Sequence, residues 1–243
     1  MSKQTEIEIQ TADGSMPAFQ SSPDSSESSY PKGAIVVIQE AFGVTEHIKS
    51  IVTRLSDAGW LAVAPAIYHR SGSPVLDYGD MEKVMPLFQE LNAKGLKEDL
   101  SCTFDFLESQ DFETSKIGIV GFCMGGTLSF YAATLRPIGA AVTFYGGGVK
   151  EGRFGLPSLI ELSPSLKSPW LGLYGDLDQG IAISEVEELR DATRNGQFEA
   201  EVVRYSEAGH GFNCNDRPQA FNQDAANDAW QRTLNWFDRH LTS

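Results

Sequence analysis

From residue 34 onward, short apolar runs alternate with longer stretches whose apolar residues recur at helical spacing. Ala34–Ile38 (AIVVI), Trp60–Pro65 (WLAVAP), Lys116–Phe122 (KIGIVGF), Ala140–Tyr145 (AAVTFY), Trp170–Tyr174 (WLGLY) and Glu199–Tyr205 (EAEVVRY) read as strands. Continuous runs such as AIVVI, rich in β-branched residues, suit strands buried on both faces of a parallel sheet. Glu46–Ala58 carries Ile48, Ile51, Val52 and Leu55 on one helical face and stops at Gly59. Met81–Leu91, Lys94–Glu108, Met124–Leu135 and Ser184–Thr193 read as further helices. Ala220–Leu241 closes the chain as a long helix with Ala226, Trp230, Leu234 and Phe237 on one stripe. Ahead of this pattern, Thr5–Thr11 and Met16–Gln20 flank Asp13–Gly14 and predict a hairpin, and serine-rich Ser21–Tyr30 predicts an exposed loop. The alternation predicts an α/β fold: an open, mostly parallel sheet with helices on both faces. No linker divides the chain, so residues 1–243 are expected to form a single domain. In such sheets the ligand site lies at the carboxyl ends of the strands.

Composition narrows the class. With 243 residues, 41% of them hydrophobic, the chain has material for a sizeable core. A net charge of −14 argues against nucleic-acid binding and against docking on an anionic membrane. The N-terminal MSKQTEIEIQ lacks the apolar segment of a secretory signal, and no apolar run approaches the roughly 18–20 residues of a membrane span. Three cysteines, Cys102, Cys123 and Cys214, are an odd number and make no disulfide framework. The expected setting is the reducing cytoplasm, where a free thiol can serve as a nucleophile.

Gly121-Phe122-Cys123-Met124-Gly125-Gly126 falls between a predicted strand and a predicted helix. It is the thiol version of the G-x-S-x-G nucleophile elbow, in which small neighbours let the backbone turn tightly beneath an exposed nucleophile. The helix N-terminus that follows favours a thiolate and a developing oxyanion. The alternative is a glycine-rich turn around an inert buried cysteine. A phosphate-binding turn is a third reading, but the P-loop lysine is missing.

A thiol nucleophile needs a base, and the base needs an orienting carboxylate; in this fold class they follow along the chain as nucleophile, acid, histidine. Only His210 and His240 follow Cys123. His240 lies in the closing helix, three residues from the end, where a solvated side chain is expected. His210, in EAGHGF just after the last strand, sits where the base belongs. Of the two aspartates in YGDLDQG, Asp178 lies deep enough in the loop to turn back to the histidine, and Asp176 reads as a turn cap. An oxyanion hole needs two backbone N–H donors: Met124, next to the nucleophile, and Ala41, in the loop Gln39-Glu40-Ala41-Phe42-Gly43. Glu40 in that loop is either a surface glutamate or a carboxylate able to take the thiol proton.

Together QEAFG (39–43), GFCMGG (121–126), GDLD (175–178), AGHGF (208–212), PAIY (65–68) and FYGGG (144–148) resemble the dienelactone hydrolase family, the carboxymethylenebutenolidases of the α/β-hydrolase fold. The likeness runs from about Thr5 to Leu241, and a cysteine elbow combined with the Q-E-x-F-G loop is specific to that family. The resemblance implies a Cys123–His210–Asp178 triad, with Glu40 activating a thiol that rests neutral beside it. It also implies attack on a lactone or ester carbonyl, a thioester acyl-enzyme, and no metal or organic cofactor. Two arginines that hold the substrate carboxylate in the best-known members have no direct counterpart. Tyr78–Lys83 (YGDMEK) contains no arginine, only Lys83, and Cys214 stands four residues past His210, with Arg217 three further on.

Phe42 and Tyr145, at strand ends, are expected either to contact substrate or to pack in the core. Tyr68 and Arg70 open a cap region in which His69 is expected in solvent. The four histidines show no metal-ligand spacing. Cys102 reads as helix packing, and Cys214 as a bystander near the base. The expected activity is hydrolysis of a small-molecule ester or lactone. A general carboxylesterase or peptide hydrolase, or a non-catalytic member of the fold, are the alternatives.

Overall fold

The computed structural model describes residues 2–24 and 30–242. The serine-rich loop expected at 21–30 therefore falls largely on residues 25–29, outside the described residues. Eight strands form one sheet: β1 (Lys3–Thr11), β2 (Gly14–Ser22), β3 (Ala34–Ile38), β4 (Leu61–Pro65), β5 (Ile117–Phe122), β6 (Ala140–Phe144), β7 (Trp170–Gly175) and β8 (Ala200–Tyr205). Their order is β1-β2-β4-β3-β5-β6-β7-β8. The β1–β2 hairpin adds to the edge, with β2 antiparallel to β4. From β4 through β8 every pairing is parallel. This is the mostly parallel, doubly covered sheet of the α/β-hydrolase fold.

The helices are α1 (Glu46–Asp57), α2 (Met81–Glu90), α3 (Ala93–Glu108), α4 (Met124–Leu135), α5 (Leu159–Leu162), α6 (Ile183–Arg194) and α7 (Gln223–Leu241). Strand β3 shows why the sheet needs cover on both sides, since all five of its residues are buried. Ala34, Val36 and Ile38 point into a core closed by α3 and α4, while Ile35 and Val37 point into one closed by α1 and α7. Apolar run and double cover thus have one cause: a pleated strand sends alternate side chains to opposite faces.

Three expectations change in detail. His69 is not in solvent: its side chain is only 2% exposed, and Nε2 lies 3.1 Å from Oδ1 of Asp99. Asp99, fully buried on α3, also accepts two hydrogen bonds from Arg70 at 2.8 and 2.9 Å. A carboxylate removed from water needs such donors, and α3 carries it beneath the turn at His69–Ser71. His240 is likewise half-buried, its ring 4.6 Å from that of Trp236 one turn earlier. On α7 the buried face includes Ala226 and Phe237 of the expected stripe together with Ala225, Ala229, Thr233, Trp236 and Leu241, while Trp230 and Leu234 are only partly buried. Small residues let the helix approach the sheet, and Trp230 is displaced to the edge, where the Arg54 guanidinium lies 3.8 Å from its ring. The short α5 is too brief for periodicity to reveal, although Ser158 and Glu161 form a full capping box.

Candidate active site

The carboxyl ends of β3, β5, β7 and β8 converge on one cleft of about 830 Å³. Cys123 stands between β5 and α4 with φ 56° and ψ −115°. A non-glycine residue in that region is strained, and the surrounding backbone has to enforce it. The glycines explain how. A Cβ on Gly121 would lie 1.8 Å from the carbonyl oxygen of Gly125, and one on Gly125 would lie 2.3 Å from that of Ile38. Only bare backbone packs so closely, which fixes GFCMGG as a tight elbow rather than an ordinary strand-to-helix turn.

His210 follows β8, and Asp178 follows β7. The imidazole Nδ1 is 2.7 Å from Oδ2 of Asp178, while Oδ1 accepts the backbone N–H of Gly180 at 2.8 Å. Both oxygens of this nearly buried carboxylate therefore have partners. Asp176 is engaged elsewhere, with Arg204 Nε and Nη2 at 2.7 and 2.8 Å. Cys123 lines the same cleft as His210. Burial pushes the imidazole pKa down, but the Cys123 thiolate and the Asp178 carboxylate outweigh it and raise the value to about 10. Glu40 has one oxygen 3.4 Å from the Tyr145 hydroxyl and the other buried without a hydrogen-bond partner.

Glu40 is 1% exposed, so it is no surface glutamate. Its neighbour Gln39 ties the loop down: Oε1 accepts the N–H of Ile67 at 3.1 Å, bracing the ends of β3 and β4 together. Tyr68 braces both sides of the predicted oxyanion hole. Its hydroxyl donates to the Ala41 carbonyl at 3.0 Å and lies 3.6 Å from Met124 Sδ. That fixes the Ala41–Phe42 peptide, next to the unit that carries the Ala41 N–H, which makes no internal hydrogen bond among the described residues. Burial and the nearby Cys123 push the Tyr68 phenol pKa upward, which keeps it a neutral donor.

Of the two aromatic residues expected near substrate, Phe42 lines the cleft and Tyr145 does not. Tyr145 is fully buried at φ 40°, behind the site, its ring 5.1 Å from His210 and its hydroxyl against Glu40. It packs against His210 and Glu40 and does not line the cleft. Cys214 is buried, with its thiol 3.4 Å from the Tyr78 hydroxyl, and its pKa is raised to about 11 by burial and by Glu40.

The arginine question resolves in space rather than in sequence. Successive turns, Cys214 N–H to Gly211 O and Arg217 N–H to Cys214 O, fold the loop so that Arg217 reaches the cleft. Its guanidinium lies 5.8 Å from the Phe42 ring and 5.5 Å from that of Tyr78. Arg153, from the segment after β6, lines the cleft as well. Lys83 pairs with Asp80 and is not among the lining residues. The sequence reading missed Arg153 and the bracing role of Tyr68. No short motif marks either residue, although Tyr68 lies within the PAIY segment already linked to the family.

Known proteins bear on this geometry. The dienelactone hydrolase family model matches residues 16–241. A protein of Yersinia pestis, provisionally named a carboxymethylenebutenolidase, is 37% identical over 241 residues, covering 98% of this chain and 89% of its own. A similarly named protein of Escherichia coli strain K12 is 35% identical over 228 residues, covering 93% and 83%. The crystal structure of a provisionally named dienelactone hydrolase from Klebsiella pneumoniae superposes with a TM-score of 0.86 at 33% identity, covering 98% of this chain and 99% of that one. Matched by the family model over most of its length and by relatives above 30% identity, this chain belongs to the dienelactone hydrolase family.

Proposed function

We propose that the protein hydrolyses lactone or carboxylic-ester bonds of small molecules, with Cys123 as nucleophile, His210 as base and Asp178 as its orienting acid. The observation that carries this reading is the imidazole hydrogen-bonded to the Asp178 carboxylate in an open cleft that Cys123, on its strained elbow, also lines. The thiolate attacks the carbonyl carbon, and the negative charge on oxygen is received by the N–H groups of Ala41 and Met124. The carbon–oxygen bond to the leaving group breaks as the leaving oxygen takes the proton held by His210, leaving a thioester on Cys123. Water then attacks the thioester while giving its proton to His210. The thiolate departs, and the carboxylic acid product is released.

Glu40 serves as a second acceptor for the thiol proton; its buried, unpartnered Oε2 supports that role. Arg217 and Arg153 bring positive charge to the cleft of a strongly acidic chain, which supports a substrate bearing a carboxylate. Three free thiols accord with a reducing, cytoplasmic setting. Among the described residues no helix is long and apolar enough to cross a membrane.

The test is Cys123→Ala against p-nitrophenyl acetate. Turnover is expected to fall by about a thousandfold or more, since removal of a nucleophile takes the whole covalent route with it. Hydrolysis at the wild-type rate would sink the reading.

A further inference from the structure

The cleft is large for a single small lactone ring. At about 830 Å³ it falls toward the upper end of the roughly 300–1,000 Å³ that encloses a drug-sized ligand. Its walls are chemically uneven. On one side the lining includes Met81 and Phe88, both from α2. With Val84 they occupy positions i, i+3 and i+7, a single helical stripe. Val84 is fully buried against Ala41 and Phe42, so the stripe is anchored beside the oxyanion loop. Met81 nevertheless leaves 48% of its surface in water, and Phe88 is only half-buried, edge-on to Phe154. Apolar surface left wet on the wall of a reactive cleft is surface for a ligand to cover, and methionine adapts its shape to what it covers.

The geometry of attack says which part of the ligand reaches that wall. The carbonyl oxygen must sit between the N–H groups of Ala41 and Met124, and the leaving oxygen must face His210, which protonates it. The His210 side of the cleft carries Leu177, whose N–H donates to the Ala208 carbonyl. Helix α2 borders the oxyanion loop, with Val84 packed against Ala41 and Phe42. With the leaving oxygen committed to the His210 side, the alcohol limb takes the Leu177 side and the acyl limb is left with the apolar surface of α2 that lines the same cleft.

We infer that the physiological substrate is an ester whose acyl limb is an extended apolar chain lying along Met81 and Phe88 of α2. The inference rests on the ester-hydrolase reading above and adds a substrate class to it. An apolar chain removes the wet faces of both side chains from water, whereas an acetyl group reaches neither.

The experiment compares kcat/KM of the full chain on p-nitrophenyl acetate, butyrate, hexanoate and octanoate, with Cys123→Ala as the control. A rise of about tenfold or more from acetate to hexanoate is expected, the scale of two to four methylenes partly removed from water. Met81→Ser should lower the hexanoate-to-acetate ratio severalfold. Met85→Ser, on the same helix but not lining the cleft, should keep the wild-type ratio. A flat or falling series in the wild type, with acetate still hydrolysed through Cys123, overturns the inference and leaves the ester-hydrolase reading standing. So does an equal loss of the ratio in both methionine variants, which would mark a general disturbance of α2. Absence of Cys123-dependent hydrolysis of every ester would instead overturn the reading on which the inference rests.

Discussion

Beneath the cleft, residues 38–42 and 121–125 are buried except for Cys123 itself, whereas α2 above it leaves seven of its ten residues exposed. The floor is cross-braced by Gln39 to Ile67 and Tyr68 to Ala41, and its glycines leave no room for a side chain. The roof has a single fully buried residue, Val84, no side-chain cap at Asp80, and Pro86 within the helix, where one backbone hydrogen bond is lost. Charge stabilisation demands donors that do not reorganise during the reaction, so it belongs on the braced floor. Recognition of variable substrate limbs tolerates, and benefits from, a surface that adjusts. Under the proposed function, the contrast puts chemistry on the braced part of the cleft and selectivity on α2.

The largest expected break in that contrast is Gly121→Ala. Its methyl group would fall 1.8 Å from a backbone oxygen, so the elbow must open. Destabilisation of about 4 kcal/mol or more, with loss of activity, is expected in urea unfolding. A middling effect is electrostatic and concerns His210. Its folded pKa, raised from 6.5 to about 10, lies above the unfolded value. The stability it contributes is therefore fully present below about pH 6.5 and is lost as pH rises through about 10. In Cys123→Ala the largest force raising that pKa is gone while burial still lowers it. The imidazole titration followed by NMR should then move to lower pH, and an unmoved titration would separate His210 from the thiol. The smallest expected effect lies on the roof: Met85→Ser, half exposed, should change unfolding free energy by less than about 0.5 kcal/mol. A floor-sized loss there would erase the distinction between the walls.

The sheet was legible because its strands are short apolar runs between helices of regular spacing, and burial on both faces leaves that pattern in the residues. AIVVI and GFCMGG announce a buried strand and an elbow without any knowledge of their neighbours. The order of Cys123, Asp178 and His210 along the chain was equally legible, each placed just after a strand. Polar burial was not. His69 looked solvated because nothing near it in sequence announces Asp99, thirty residues away on α3. Tyr145 looked like a cleft residue because a strand end reads the same whether its side chain lines the cleft or is buried behind it. Arg217 looked out of register because counting residues from His210 ignores the two turns that fold the loop back.

The sequence by itself determined the α/β alternation, the carboxyl-edge location of the site, the identity of the elbow and the family likeness. These are local patterns, set by side-chain periodicity and by the backbone freedom of glycine. Only the tertiary structure decided that Asp176 is taken up by Arg204, that Glu40 is buried with one oxygen unpartnered, and that Arg153 and Arg217 share a cleft with Met81 and Phe88. Those facts depend on distances between segments far apart in the chain. Such distances are set by how the helices and loops pack over the sheet, not by any spacing written along it.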